Sequence, residues 1–254
     1  MTLAEAFQLK DREVISLVGG GGKTTLMFSW GRELAKRQGG VILTTTTKIW
    51  GPEPSPDFLS FVSQGFSTLR EWILGHLPSS PCLLVAKARL ANGKLDGIPP
   101  GWVEEILQIP GITCILVEAD GAKGHSLKAP REGEPVVPLN TTLLVPVVGI
   151  DALGCPLDEN HVFRSKLAME ILQMPEGTIL DEGMISRLLA ATLKGRPDGV
   201  RVVPFINKID SPCDLERGRK LGQALFNIPD QEIKRVVLGQ AQKATIVKGV
   251  ISRN

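Results

Sequence analysis

The 254-residue chain carries 29 Lys+Arg against 27 Asp+Glu, a formal net charge of +2, with 43% hydrophobic and 22% charged residues. The near balance of charge argues against a nucleic-acid binder or a polybasic membrane binder. The apolar content excludes the charge-rich, apolar-poor composition of disordered chains.

The length suits one large α/β unit, expected to be a single nucleotide-binding domain over 1–254. Its longest apolar stretch, 143–150, contains Pro146 and Gly149 and falls far short of the ~18 residues of a membrane span. The first 13 residues lack the apolar block of a secretion signal, so a cytoplasmic location is expected. Cys82, Cys114, Cys155 and Cys213 are widely spaced and form no metal-ligand pattern, which suits reduced, buried thiols.

Short apolar runs alternate with helical patterns along most of the chain, the signature of a mainly parallel sheet covered by helices. Seven strands are expected, at 14–18, 41–45, 82–86, 112–117, 143–148, 200–206 and 235–238. The expected architecture is a three-layer α/β fold of the P-loop NTPase type.

The first strand runs into Gly19, Gly20, Gly21, Gly22, Lys23, Thr24 and Thr25, then into a helix over 23–37 that places Leu26, Trp30 and Leu34 on one face and stops at Gly39 and Gly40. Glycines let backbone N–H groups curl around phosphate oxygens, and a helix N-terminus adds partial positive charge. Lys23 is placed to reach β- and γ-phosphates and Thr24 to hold Mg²⁺. The spacing G-x-x-G-K-T-T is shorter than the common G-x-x-x-x-G-K-[ST], because Leu17 stands where the first glycine would be. Such shortened loops resemble those of ATP-dependent Mur-type ligases, so the loop alone does not choose a reaction.

The second strand ends in Thr44, Thr45, Thr46, Thr47 and Lys48, which puts hydroxyls at the carboxyl edge of the sheet. Thr45 is a candidate Mg²⁺ or γ-phosphate ligand, and an ordinary strand end explains the same run. The stretch 51–57, with Pro52, Pro54 and Pro56, reads as an exposed loop. The strand at 112–117 ends in Glu118, Ala119, Asp120 and Gly121, which resembles a Walker B strand followed by a switch-like turn. Either carboxylate can hold Mg²⁺, and the Gly121 amide can sense a γ-phosphate; a plain turn is the structural alternative. The segment 120–140 then reads as a loop crossing the sheet rim, with Lys123, His125 and Lys128 as candidate phosphate or substrate contacts.

The strand at 200–206, interrupted by Pro204, runs into Asn207, Lys208, Ile209 and Asp210. N-K-x-D after a late strand is the guanine-reading motif. Its Asp accepts from the ring N–H and exocyclic amine of guanine, Asn meets the base edge, and the Lys stem stacks under the ring, whereas adenine would leave the carboxylate unpaired. The competing explanation is a turn in which Ser211 and Pro212 open a helix. Gly239, Gln240 and Ala241 are the nearest candidates for a second base-supporting turn. Asp151, in Gly149-Ile150-Asp151-Ala152-Leu153-Gly154, lies at another strand end and could touch metal or substrate.

Taken together, 18–25, Leu43 to Ile49, Val117-Glu118-Ala119-Asp120-Gly121-Ala122-Lys123-Gly124, Ser126-Leu127-Lys128-Ala129-Pro130 and 148–154 resemble one family, the selenium-dependent hydroxylase accessory (YqeC-like) proteins. That resemblance implies a cytosolic bacterial or archaeal protein that assists maturation of molybdenum hydroxylases, with a client hydroxylase or cofactor-maturation protein as partner. The residues on their own support a Mg²⁺-dependent nucleotide-binding α/β protein, and the first expectation built on them is a nucleoside triphosphatase using GTP or ATP, with GTP favoured. Lys23, Glu118 and Asp120 form its catalytic set, and Thr24, Thr45, Glu118 and Asp120 are the candidate metal ligands. A small-molecule kinase or ligase, and a module that binds nucleotide without turnover, are the alternatives.

Overall fold

A computed structural model describes residues 1–36, 39–51, 57–228 and 232–253. Its central sheet contains nine strands in one path. In chain order they are β1 (Glu13–Gly19), β2 (Gly40–Thr45), β3 (Leu59–Val62), β4 (Cys82–Ala86), β5 (Ile112–Glu118), β6 (Leu143–Gly149), β7 (Phe205–Asn207), β8 (Arg235–Gly239) and β9 (Val247–Ser252). The spatial order is β9-β8-β7-β6-β1-β5-β2-β4-β3, and the short strand Arg201–Val202 pairs with β6 outside that path. Every pairing along the path is parallel except β8 with β9.

The helices are α1 (Leu3–Ala6), α2 (Lys23–Leu34), α3 (Phe66–His76), α4 (Pro100–Leu107), α5 (Ser165–Leu172), α6 (Glu182–Thr192) and α7 (Pro212–Leu225). Strand periodicity sorts them into layers. Ile15, Leu17, Leu43 and Leu116 point to the face packed by α1 and α2. Val14, Ile42, Ile115 and Val117 point to α3 and α4 on the opposite face, and Leu144, Val148 and Ile206 join α5, α6 and α7 on that same side. A parallel sheet buried on both faces reads as unbroken apolar runs, and β1 is buried along its whole length.

All seven expected strands are present. The sheet is wider than expected because the edge strands carry weak apolar patterns, β3 being largely exposed and β9 mostly half-buried. β7, which follows Pro204, lies inside the sheet between β6 and β8. The proline splits the predicted strand in two, and its carbonyl still accepts from Val237 N at 2.9 Å. The proline-rich run at 52–56 lies outside the described residues.

A separate three-stranded antiparallel flap pairs Lys48–Trp50 with Lys94–Asp96 and the latter with Ala88–Arg89. Cys82 and Cys114 are buried as expected, whereas Cys155 is half-buried and Cys213 is exposed on the first turn of α7. Among the described residues no helix is long and apolar enough to cross a membrane.

Candidate functional site

The segments singled out in the sequence converge because β1, β2, β5, β6, β7 and β8 all release them at the carboxyl edge of one sheet, where open α/β folds bind ligands. At the end of β1 the glycine loop packs directly on its neighbours. Gly21 has φ +78° and a Cβ there would lie 2.3 Å from Gly149 N, so backbone contact excludes any side chain. Gly22 starts α2 in the left-handed region with no side-chain cap, leaving the first helical N–H groups without a capping partner.

The loop amides divide into two sets. Gly19 N donates to both oxygens of Asp120, at 3.1 and 3.0 Å. Gly20 N donates to Val147 O and Gly21 N to His125 O. These bonds hold the loop in shape, and the N–H groups left for an anion are those from Gly22 through Thr25, at the positive end of α2.

Lys23 is buried. Its Nζ donates to Gly19 O at 2.6 Å and lies 3.2 Å from Asp120 Oδ1 and 3.8 Å from Glu118 Oε1. Thr24 Oγ1 donates to Glu118 Oε2 at 2.6 Å. Burial pushes the Glu118 carboxyl above its ordinary range, while the Lys23 charge and the Thr24 hydroxyl pull against that shift.

The two carboxylates left undivided by the sequence are thus distinguished. Glu118 faces the Thr24 hydroxyl and lines the open cleft, whereas Asp120 turns beneath the glycine loop. Thr45 is turned the same way: its hydroxyl donates to Glu118 O at 2.8 Å and accepts from Thr47 N at 3.0 Å.

Lys128, expected as a phosphate or substrate contact, is only 2% exposed. It donates to Asp120 Oδ2 at 2.9 Å, Gly121 O at 3.0 Å and Glu134 Oε2 at 3.0 Å. Glu134 is clamped by two bonds from Arg164, at 2.7 and 2.9 Å, and by Arg131 Nε at 2.8 Å. Burial opposes ionisation of Glu134, but the bonds from Arg164 and Lys128 outweigh it and lower its pKa to about 2. Neither Glu134 nor Arg164 is assigned a role from the sequence. The available signal was the density of charge between the prolines of 120–140.

On the other side of the loop, Asn207 Nδ2 donates to Gly21 O at 2.7 Å and Asn207 Oδ1 accepts from Ala241 N at 2.9 Å. This one side chain ties the glycine loop to the end of β8. Lys208 adopts φ +65° and its Nζ reaches Ser126 Oγ at 2.6 Å and Asp151 Oδ2 at 2.7 Å. Asp210 is exposed and accepts from Gln240 Nε2 at 2.7 Å. Ser211 caps α7 with Pro212 in its first turn, so the helix-opening alternative describes the same segment equally well. His125 lies between the carbonyls of Ala122 and Glu159 and stacks on Phe163.

A cleft of about 530 Å³ opens over the start of α2. Lys208 and Gln242 line one end, Lys23, Thr24, Glu118 and Gly121 the middle, and Lys48, Trp50 and Lys94 the other end, with Lys123 also on the wall. Of its five lysines, Lys23 is paired with Glu118 and Asp120 and Lys208 with Asp151, so the positive charge left over comes from Lys48, Lys94 and Lys123 and favours anions.

Fold and site together define an α/β protein with a glycine loop and helix N-terminus poised for anions at the carboxyl edge of a parallel sheet. Residues 15–166 match the model of the family described as YqeC protein. The chain is also 32% identical over 234 residues to the Uncharacterized protein YqeC of Escherichia coli (strain K12), covering 91% of this chain and 88% of that relative. The chain belongs to the YqeC family. The matched span runs from β1 through Lys166 and so contains the glycine loop, Glu118, Asp120, Lys128, Glu134 and Arg164, while Asn207–Asp210 lies beyond it.

Proposed function

We propose that this chain binds a magnesium nucleoside triphosphate, with GTP preferred, and hydrolyses it in a cycle that serves maturation of a molybdenum hydroxylase. The observation that carries the nucleotide part is the Lys23, Thr24, Glu118 and Asp120 cluster at the open N-terminus of α2. These residues fit the ligand: two oxygen donors, from Thr24 and Glu118, stand 2.6 Å apart beside a buried lysine, in a cleft whose remaining charge is positive. The client follows from the family resemblance alone.

In this reading the amides from Gly22 to Thr25 and Lys23 Nζ bind the phosphate oxygens. Thr24 and Glu118 hold Mg²⁺, which when bound neutralises charge on the β- and γ-phosphates. Asp120 keeps Lys23 and the Gly19 amide in register from below. The Gly121 segment lines the cleft beside Glu118 and is suited to respond to a γ-phosphate. Asn207 fixes the loop, Lys208 supplies a stem at the base end, and Asp210 exchanges its Gln240 partner for the base edge.

Calorimetric titration of GTP and ATP with Mg²⁺, on wild type and Asp210→Ala, tests this reading. A GTP preference that disappears in the variant is expected. Tight ATP binding indifferent to the substitution would overturn the guanine assignment.

A further inference from the structure

A nucleotide lying from Lys208 to Glu118 leaves one end of the cleft over, and that end is built rather than incidental. The flap strands Lys48–Trp50 and Lys94–Asp96 are in antiparallel register, with Trp50 opposite Lys94 and Ile49 opposite Leu95. Period-two alternation sends Ile49 and Leu95 into the core, at 3% and 2% exposure, and turns Lys48, Trp50 and Lys94 to the other face. Lys48, Trp50 and Lys94 line the cleft together with part of Ile49, and on its other side Lys48 shares an adjoining cavity with Asp96, its cross-strand neighbour.

The flap is anchored at its base. Ile98 N donates to Thr45 O at 2.9 Å, and a Cβ on Gly97 would lie 2.4 Å from the Thr46 carbonyl carbon.

Trp50 is 60% exposed although it is the largest side chain type, and Lys94 Nζ sits 5.0 Å from its ring centroid. Lys123, also on the cleft wall, holds a left-handed backbone, φ +48°, with its Nζ 5.3 Å from the Phe163 ring centroid. Among the described residues no carboxylate pairs with Lys48, Lys94 or Lys123. An exposed indole on a strand tied down at its base is a stacking platform, and ammonium groups without a carboxylate partner beside it select negative charge.

We propose that Lys48, Trp50 and Lys94 form a second small-molecule site, for a ligand carrying a flat conjugated ring and an anionic group, held next to the Thr24 and Glu118 end of the nucleotide. This rests on the nucleotide assignment only for the identity of the neighbour; the ring-and-anion site is defined by the flap itself. It makes the protein a two-ligand device in which the terminal phosphate of one ligand faces the other.

The test uses flavin mononucleotide as the probe, followed by quenching of its own fluorescence, with riboflavin as the phosphate-free control. Titrations are run on the full chain alone and after saturation with Mg²⁺ and a non-hydrolysable GTP analogue, whose binding is measured separately by calorimetry. Saturable quenching is expected both with and without the analogue. The dissociation constant should rise tenfold or more in Trp50→Ala and in Lys94→Ala, stay within threefold of wild type in Trp50→Phe, and be at least tenfold weaker for riboflavin.

No saturable quenching, equal affinity in Trp50→Ala, or displacement of the flavin by the GTP analogue would overturn the second site. Failure of the analogue to bind while flavin binding keeps its Trp50 dependence would sink the nucleotide assignment instead and leave this site standing.

Discussion

The floor beneath the glycine loop and the wall of the cleft above it both carry lysines, and they use them in opposite ways. Below, Lys23 and Lys128 are buried and each of their charges is met by Glu118, Asp120 or Glu134. Above, Lys48 and Lys123 are exposed, Lys94 lies over an indole, and none of the three has a carboxylate partner among the described residues. Burying an unpaired ammonium is prohibitive, so the floor has to be neutral within itself and acts as a rigid mount. The wall keeps its charge in water, where it costs little and remains available to a ligand.

The sharpest attempt to break this contrast is Lys23→Ala. It leaves Glu118 and Asp120 buried together without their shared cation, and removing one partner of a buried pair costs about 3–5 kcal/mol. A fall in Tm on the order of 10 °C is expected by differential scanning calorimetry of the free protein. An unchanged Tm would mean that the floor carries no such electrostatic balance.

Next in size is Glu134→Gln, expected to cost roughly 2–3 kcal/mol in denaturant unfolding, because Lys128, Arg164 and Arg131 all lose their common partner. The same variant sharpens the comparison through pH. Glu134 has a folded-state pKa of about 2 against an ordinary 4.5. A depressed carboxyl pKa adds stability that is fully present above about pH 4.5 and is lost as pH falls toward 2. Wild type should therefore lose stability more steeply than Glu134→Gln across that interval. Parallel stability profiles for the two proteins would exclude Glu134 as a contributor.

The smallest effect belongs to the wall. Lys48→Ala should alter unfolding free energy by no more than about 0.5 kcal/mol, as exposed substitutions do away from caps and cores. A loss as large as that of Glu134→Gln would place Lys48 in the structural network and erase the distinction.

The sequence made the site's location legible through contiguous segments. Gly19 to Thr25 encode their own geometry, since a glycine turn, a lysine and a helix start need no distant partner to be recognised. The N-K-x-D run was equally visible, and the structure adds that Asn207 already bridges the glycine loop and Ala241. Less legible were features made from distant pieces. Lys128 looked like a loop cation because Asp120 and Glu134 become its partners only when the 120–140 segment folds back under the loop. The flap escaped notice because Lys48–Trp50 and Lys94–Asp96 are three residues each, too short for a period-two pattern to stand out.

By itself the sequence determined the alternation of apolar strands and helices, and with it a parallel sheet that must be covered on both faces. It also determined the loop whose glycines and lysine suit phosphate, because these properties follow from local backbone freedom and side-chain periodicity. Only the tertiary structure decided that Glu118 meets Thr24 while Asp120 braces the loop, that Lys128 is an internal counter-ion, and that Trp50 faces the cleft. Those choices depend on burial and on charges brought together from distant positions, where desolvation lets a cation persist only beside its carboxylate.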